Sequence, residues 1–494
     1  MCSLNLMMNQ ASTFHIVTVG WDRVLVESLW KSIAMKGEAR FSHILHPSCI
    51  RGEFPNLPPE SGMYFFRDHL RHRMPDPDIQ FLASLEQEDV PTIHNMILGD
   101  RIVSKLSYSD ALSYATFLGQ RLFSLFRQLK PSVVIGGFDA IHSGLALAVA
   151  KRMNIPWYAL HFSVIPSGLT CFCDRMSPAA RVRIRRSMSP SNLRSFAENS
   201  LSDFEKKSIQ APAYIAPKPL SLIEHVAKLP RRASSLAHKI RRSRDREFLQ
   251  FTEMRAGHSV LAALSHFHRI ALARKAPSKV VALEVPPEGP YVLFGLHFQP
   301  ESSIDVWAPY FSNQMWVIEL LARSIPPAHK LLVKIHKSDA ANYTVAQLER
   351  MRSFPGVELI RPFADTRRFI ERADLIIAIQ GTIGLEAALL GKPVIMLGDS
   401  PVAVFPSASR IGEIVELPGL IRKKLGESPP GRDQIIEAYA EYLAPFIPAS
   451  HNDWTKVDVE EIGGYVKLFD ALREHVNARP TLTFCKTRDT SFHA

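Results

Sequence analysis

Three residues in the stretch 374–398 could bind an anion. Gly381, Thr382 and Gly384 follow a short β-branched apolar run and precede a second apolar run that has the length of a helix. Backbone N–H groups at a helix N-terminus, together with a threonine hydroxyl, form an anion site whose usual occupant is a nucleotide phosphate. We therefore expect these residues to bind a phosphate.

Glu386 lies one turn further along, in a helix that is otherwise apolar on every face. A capping box that begins at Thr382 would need its acid at position 385, so Glu386 does not serve that purpose. A carboxylate on a buried helix needs a partner, because burying it unpaired is costly. Two partners fit equally well: the hydroxyl pair of a sugar or ribose, or a Lys or Arg from a neighbouring element.

The elements that position these residues alternate between strands and helices. Gly391 supplies a left-handed cap to the predicted helix and Pro393 stops it, so residues 374–398 form one β-α-β unit with parallel strands. Similar alternation recurs along the chain and predicts a doubly wound α/β fold. The predicted strands are 14–19, 41–45, 133–135, 157–161, 291–296, 330–335, 357–360, 375–379, 394–397 and 413–417.

This pattern divides the chain into five parts. We expect a doubly wound domain at 13–174 with an irregular insertion at 50–110, a basic helical connector at 175–287, a second doubly wound domain at 288–425, closing helices at 426–476 and a disordered tail at 477–494.

Polar loops follow several strands of the second predicted domain, where ligands of parallel sheets bind. The residues of interest are Gln299, Glu301, Asp305, His336, Lys337 and Ser407. Each has an ordinary structural explanation, such as a capped loop histidine, acids that complement a helix dipole, or a solvated lysine. Their convergence on one rim of a sheet favours a binding site.

The composition fits a globular protein of two domains. The chain has 494 residues, of which 46% are hydrophobic and 22% are charged. It contains no apolar stretch near the roughly 20 residues that span a bilayer, and its N-terminus lacks the features of a secretory signal. Its five cysteines are scattered, without a disulfide framework or zinc motif. We expect a cytoplasmic protein.

The formal charge of +11 is concentrated in residues 231–246, which hold seven Lys or Arg and one Asp. Such a cluster attracts anionic lipid headgroups, by about 1 kcal/mol per basic residue. A phosphorylated substrate, nucleic acid or plain solvation are the other interpretations. Helix-turn-helix, zinc-finger and RNP-like patterns are absent, so we expect no nucleic-acid partner and keep an anionic membrane surface, at the inner face of the plasma membrane, as a candidate.

Four segments together resemble the capsule polysaccharide biosynthesis family, whose best understood branch contains the GT-B type Kdo transferases of bacterial capsule assembly. They are residues 299–305, 334–336, 381–386 and 391–395. The resemblance covers about 290–410 well and 131–175 weakly. It implies two Rossmann-like domains that face each other across a cleft, with a C-terminal helix crossing back. The second domain would bind a nucleotide-sugar donor and the first a saccharide or glycolipid acceptor.

One position departs from the family pattern. The family commonly has proline after the histidine at position 336, and this chain has Lys337. Lysine could meet a donor phosphate or carboxylate directly, so the donor stays open between CMP- and UDP-activated sugars.

Glycosyl transfer needs a stabilised phosphate leaving group and usually a base for the acceptor hydroxyl. We predict catalytic roles for Asp305, Glu301 and His336. The expected donor-binding residues are Gln299, Lys334, Lys337, Gly381, Thr382, Gly384, Glu386 and Ser407, and the expected acceptor-side residues are Asp22, Asp139 and His142. No Asp-x-Asp motif follows a strand, so we expect neither a metal ion nor a cofactor.

Two alternatives to a glycosyltransferase remain from the sequence. A non-hydrolysing UDP-sugar 2-epimerase shares this fold and the phosphate turn. The chain could also be a catalytically silent scaffold of polysaccharide assembly.

Overall fold

The computed structural model describes residues 14–20, 39–47, 62–66, 74–184, 189–206, 280, 283–337, 343–449 and 459–478. Asp22, the basic segment 231–246 and nearly all of the predicted tail lie outside the described residues.

The described strands fall into two sheets. In chain order they are β1 (Phe14–Val19), β2 (Ala39–Ile44), β3 (Met63–Tyr64), β4 (Val133–Gly136), β5 (Trp157–Phe162), β6 (Leu169–Cys173), β7 (Arg181–Val182), β8 (Tyr291–Gly295), β9 (Lys330–Lys334), β10 (Val357–Ile360), β11 (Leu375–Ala378), β12 (Val394–Met396), β13 (Ala408–Arg410) and β14 (Ile447–Pro448).

Helices cover both sheets. Those of the described residues are α1 (Ile79–Ala83), α2 (Ile93–Leu98), α3 (Tyr108–Leu129), α4 (Ala140–Arg152), α5 (Pro190–Glu205), α6 (Ser302–Asp305), α7 (Gln314–Ser324), α8 (Val345–Ser353), α9 (Thr366–Arg372), α10 (Thr382–Leu389), α11 (Leu417–Leu425), α12 (Arg432–Leu443) and α13 (Val459–Asn477).

The first sheet is mixed and has the order β14-β6-β5-β4-β1-β2-β3, with β7 beside β6. Strands β1 to β5 are parallel, whereas β6 pairs antiparallel with β5, β7 and β14. The predicted strands do not include β6, whose antiparallel pairing makes this edge of the sheet mixed. Residues 163–168 between β5 and β6 are too few for the crossover that a parallel pair requires. We call this sheet and its helices the first unit.

The second sheet is parallel throughout and has the order β10-β9-β8-β11-β12-β13. The predicted strands from 291 to 397 are confirmed to within about two residues at their ends. The predicted strand 413–417 is wrong, because Ile414–Glu416 is a 3-10 turn and the edge strand is β13. Val415 is 81% exposed, so this apolar run does not enter the core. We call this sheet and its helices the second unit.

The C-terminal segment returns to the first unit. Strand β14 pairs with β6, and α13 packs on the face of the first sheet through Phe469. The ring of Phe469 meets those of Phe41 and Phe172 edge-on, at centroid distances of 5.8 and 6.2 Å. The predicted fold class, two doubly wound Rossmann-like units with closing helices, is confirmed, while the domain boundaries stay predictions.

The described helices include none with both the length and the apolar composition that crossing a membrane requires.

We predict that Phe469→Ala releases α13 from the first sheet. Removing a buried phenylalanine costs about 3–5 kcal/mol. The 459–478 region should then be cleaved in limited proteolysis at protease concentrations that leave the wild type intact. Glu474→Ala changes an exposed position of the same helix and serves as the control. Equal protection in both variants would show that α13 is held by other contacts.

Candidate active site

A cleft of about 1500 Å³ lies between the two units, at the carboxyl ends of their strands. It is lined by most of the residues predicted to form a site, namely Asp139, His142, Glu301, Asp305, Lys334, His336, Lys337, Gly381, Thr382 and Glu386. Gln299, Gly384 and Ser407 do not line it. In the described ranges, groups of three or more His, Cys, Asp or Glu that could hold a metal ion are absent.

The loop that follows β8 is held in shape by its own side chains. Gln314, buried on α7, accepts a hydrogen bond from the backbone N–H of His297 (2.7 Å) and donates to its carbonyl (3.0 Å). The same amide donates to Gln299 Oε1 (2.8 Å). Asp305 accepts from Gln299 Nε2 (3.0 Å) and from the Glu301 backbone N–H (2.9 Å). Gln299 and Asp305 thus fix the loop, although Asp305 also borders the cleft.

Glu301 presents its carboxylate at the rim of the cleft. Partial burial raises the pKa of Glu301 above its ordinary value; a hydrogen bond from Ser303 Oγ (2.8 Å) opposes this shift, and Asp139 adds to it. A carboxyl group with a raised pKa is suited to proton transfer near neutral pH.

Three residues at the end of β9 bring positive or titratable groups to the cleft. Lys334 is buried and donates from Nζ to the carbonyls of Ile335 (3.1 Å) and Pro362 (2.6 Å). Burial lowers the pKa of Lys334 to about 7, and the charge of Lys337 acts in the same direction. Burial, followed by the charges of Lys334 and Lys337, also lowers the pKa of His336, so its imidazole is mostly neutral at pH 7.

The turn before α10 is shaped by contact with His297. Gly381 precedes the helix with φ +53° and ψ 160°, a conformation essentially restricted to glycine. A Cβ at this position would lie 2.8 Å from His297 Cε1. The backbone N–H of Gln380 donates to His297 Nε2 (3.2 Å), and burial lowers the pKa of His297 to about 4, so this nitrogen stays an acceptor.

Gly384 has a packing role instead of an exposed one. A Cβ on Gly384 would lie 2.7 Å from Met396 Sδ, so this glycine lets α10 approach β12 closely. Thr382 and Gly381, by contrast, border the cleft as predicted.

Glu386 faces the cleft from the first turns of α10. The Thr382 hydroxyl donates to its carboxylate, and burial raises the pKa of Glu386, against the opposing effects of that hydrogen bond and of Arg367 and Lys337. The guanidinium of Arg367 is paired with Glu371 (2.7 Å) and stacks on Phe204 at 4.5 Å. Among the described residues, Arg367 therefore forms no ion pair with Glu386, and the Glu386 carboxylate can accept hydrogen bonds from a ligand.

The first unit lines the cleft with charged side chains and with a histidine. Asp139 accepts a hydrogen bond from Ser302 Oγ across the cleft and lies 3.6 Å from the guanidinium of Arg101. His142 is buried, and burial followed by the neighbouring His46 holds the pKa of His142 well below its usual range. The two rings meet edge-to-face at 4.9 Å.

Ser407 lies away from the cleft. It precedes β13, at the amino end of the sheet, and lines a separate cavity of about 200 Å³. The 3-10 turn Pro401–Val404 turns the chain back, so Ser400 and not Ser407 reaches the cleft.

Sequence reasoning missed His297, Arg101 and Arg367, all of which line the cleft. His297 has a usable signal, because it directly follows the predicted strand 291–296, two residues after β8 ends. Arg101 has none, because it lies in the predicted irregular insertion at 50–110.

Residues 245–405 match the model of a family described as capsule polysaccharide biosynthesis protein. The resemblance predicted from the sequence is confirmed. The matched segment is less than half of the chain and contains the second sheet from β8 to β12, with Glu386 and the loops around it. No curated protein sequence matches the chain.

Several solved structures are similar at low identity. The KpsC beta Kdo 2,4 transferase of Thermosulfurimonas dismutans is 14% identical, with 62% of this chain and 79% of that chain covered and a TM-score of 0.34. S. aureus MnaA, solved with UDP, is 12% identical, with 92% and 97% covered and a TM-score of 0.29. The UDP-GlcNAc 2-epimerase of Methanocaldococcus jannaschii is 13% identical, with 87% and 99% covered and a TM-score of 0.27. Likenesses this weak bear on neither substrate nor reaction.

We predict that Gly381→Ala destabilises the protein by about 1–3 kcal/mol, because alanine disfavours this backbone conformation and its Cβ would meet His297. The thermal midpoint measures the loss. Gly419→Ala is the matched control, since a Cβ there meets open space inside α11, where alanine stabilises by roughly 0.5–1 kcal/mol. A Gly381→Ala protein as stable as the wild type would mean that the turn relaxes freely.

Lys334 makes stability depend on pH. The unfolded chain keeps this proton up to the ordinary lysine pKa, while the folded chain loses it near pH 7. Burial of the charged amine therefore destabilises the folded state fully below about pH 7. This destabilisation decreases as the pH rises from 7 toward the ordinary lysine pKa, because the folded protein no longer carries the charge. Between about pH 8 and 9, the wild type should gain about 1.4 kcal/mol per pH unit relative to Lys334→Met. The exposed Lys423→Met is the control, and identical slopes for both variants would contradict the prediction.

Proposed function

We propose that this chain is a glycosyltransferase that moves a sugar from a nucleotide-sugar donor to a saccharide or glycolipid acceptor of a surface polysaccharide. The observation that carries the proposal is the shared cleft. The N-terminus of α10 and the Glu386 carboxylate border it from the second unit, while Asp139 borders it from the first. The family match over residues 245–405 supports the same reaction class.

The donor nucleotide would bind to the second unit. The N–H groups in the first turn of α10 and the Thr382 hydroxyl suit a phosphate, and they would stabilise the charge that develops on the leaving group. Glu386 would accept hydrogen bonds from two ribose hydroxyls, which is the first of the two roles open to it.

Lys334 and Lys337 would supply positive charge beside that phosphate. A neutral lysine amine has two N–H groups, and the carbonyls of Ile335 and Pro362 already use two. Protonation adds a third N–H, which an anionic ligand can accept. Binding of the nucleotide would then draw a proton onto Lys334 at pH values above about 7.

Proton transfer from the acceptor hydroxyl would fall to Glu301 or Asp139, which face each other from the two units beside Arg101. Asp305 is the weaker candidate, since both of its carboxylate oxygens accept hydrogen bonds within its own loop. His336, neutral near pH 7, would hydrogen-bond the donor. The acceptor would lie against Asp139 and His142.

Nucleotide binding tests the donor site directly. We expect CMP or UDP to raise the thermal midpoint of the wild type, because a ligand that binds only the folded state stabilises it by mass action. Glu386→Ala should weaken that binding about tenfold or more, since hydrogen bonds to a charged group contribute about 1.5–3 kcal/mol. Isothermal titration calorimetry with CMP, UDP and GDP measures the affinities.

Glu319→Ala is the control for that experiment, because Glu319 pairs with Arg323 on α7 and does not border the cleft. Unchanged affinity in Glu386→Ala would remove the proposed ribose contact. Products then separate the reaction classes: an epimerase converts a UDP-sugar without any acceptor, a transferase needs one, and a scaffold leaves the donor intact.

A further inference from the structure

Helix α4 begins with a residue that does not cap it. Asp139 has the position and the extended backbone of an N-cap, with φ −80° and ψ 143°, yet its side chain makes no capping hydrogen bond. Aspartate is among the best N-cap residues because its carboxylate normally accepts from the second or third N–H of the helix. Another group must therefore satisfy those donors.

Asp100 supplies the missing cap from a different part of the chain. Its Oδ2 accepts from the backbone N–H of Ile141, the second residue of α4, at 3.0 Å. Its Oδ1 accepts from the N–H groups of Ile102 and Val103, both at 2.9 Å. The Asp100 side chain is buried, so three backbone donors hold its carboxylate in one orientation.

The carboxylate of Asp139 is consequently turned to the cleft. It accepts from Ser302 Oγ on the second unit and lies 3.6 Å from Arg101, the residue that follows Asp100. Gly99, which precedes Asp100, packs closely on the second unit, since a Cβ there would lie 2.8 Å from the carbonyl oxygen of Asp305. One short turn therefore caps α4, places Arg101 and contacts the loop that carries Glu301.

We infer that Asp100 is a positioning residue: it caps α4 in place of Asp139 and so keeps the Asp139 carboxylate in the cleft, where the acceptor would bind. The second clause rests on the proposed function, while the first rests on the hydrogen bonds alone. The two carboxylates therefore have different roles: that of Asp100 is buried and structural, and that of Asp139 is available to a ligand.

Hydrogen-exchange mass spectrometry of the full chain tests the capping exchange in peptides that cover 139–152. In the wild-type background Asp139→Ala should change the exchange of the first turn of α4 less than twofold, because Asp139 makes no cap. In an Asp100→Ala background the Asp139 side chain can swing in as a normal N-cap. There, Asp139→Ala should speed exchange about fivefold, the effect of losing a typical cap.

Should Asp100→Ala fail to fold, Asp100→Asn replaces it, because its amide cannot accept every bond that the carboxylate accepts. An Asp139→Ala effect of equal size in both backgrounds would overturn the inference. This comparison of Asp139→Ala in two backgrounds needs neither substrate nor activity, so it tests the cap even if the proposed function is wrong.

Turnover measurements test the second part of the proposal, the position of the Asp139 carboxylate in the cleft. Asp100→Asn should lower turnover at least tenfold while the affinity for CMP or UDP stays within twofold of the wild type, because the nucleotide would contact the second unit. Loss of structure alone would reduce both quantities together. Unchanged turnover would overturn the acceptor clause, whereas absence of nucleotide binding in the wild type would reject the proposed function instead.

Discussion

One imidazole ties together the two loops on which the cleft depends. His297 Nε2 accepts a hydrogen bond from the Gln380 backbone N–H (3.2 Å), immediately before the turn that opens α10. Burial keeps this nitrogen unprotonated, since it lowers the pKa of His297 to about 4. Gln314 bonds both the N–H and the carbonyl of His297, which fixes the backbone from which the ring extends. The direction of the α10 N-terminus is therefore set by a residue of the neighbouring loop.

The acidic residues around the cleft differ in what their surroundings leave them free to do. Asp305 has both oxygens engaged within its loop, and Asp100 is engaged by three backbone N–H groups. Burial raises the pKa values of Glu301 and Glu386. Buried acids without a full set of donors are costly in a folded protein, which is why such groups concentrate where ligands bind. By this criterion Glu301 and Glu386 have a capacity for a ligand that Asp305 and Asp100 lack, and Asp139 is exposed at the same cleft.

Local sequence patterns were enough to predict five of the six strands of the second sheet, β8 to β12. Those strands are short, mostly apolar runs, and the helix α9 that follows β10 is capped by Asp365, which accepts a 3.1 Å hydrogen bond from the Arg367 N–H. The prediction is wrong where a run of apolar residues has no place in the core, as at Val415, and it omits the antiparallel strand β6.

The site was predictable only in part, for a different reason. Positions at strand ends brought Lys334, His336, Thr382 and Glu386 to one cleft, because parallel strands end on the same edge. The structural roles of Gln299 and Asp305 in their loop depend on a hydrogen bond from Gln314. Asp139 does not cap α4 because Asp100 does, and Asp100 lies 41 residues from the N–H that it caps. Spacing within a motif contains no information about partners that the tertiary fold brings in.

The two units meet in a buried apolar cluster and in contacts that border the cleft. Leu169 and Cys171 of the first sheet share the buried cluster with Leu293, Ile376 and Tyr439. At the cleft, Trp307 meets Phe138 edge-to-face at 5.1 Å, and Asp139 meets Ser302 through exposed groups. An aromatic pair contributes about 0.5–1.5 kcal/mol beyond its buried area, and exposed polar contacts contribute less. The buried cluster therefore contributes more to holding the two units together than the polar contact that borders the cleft.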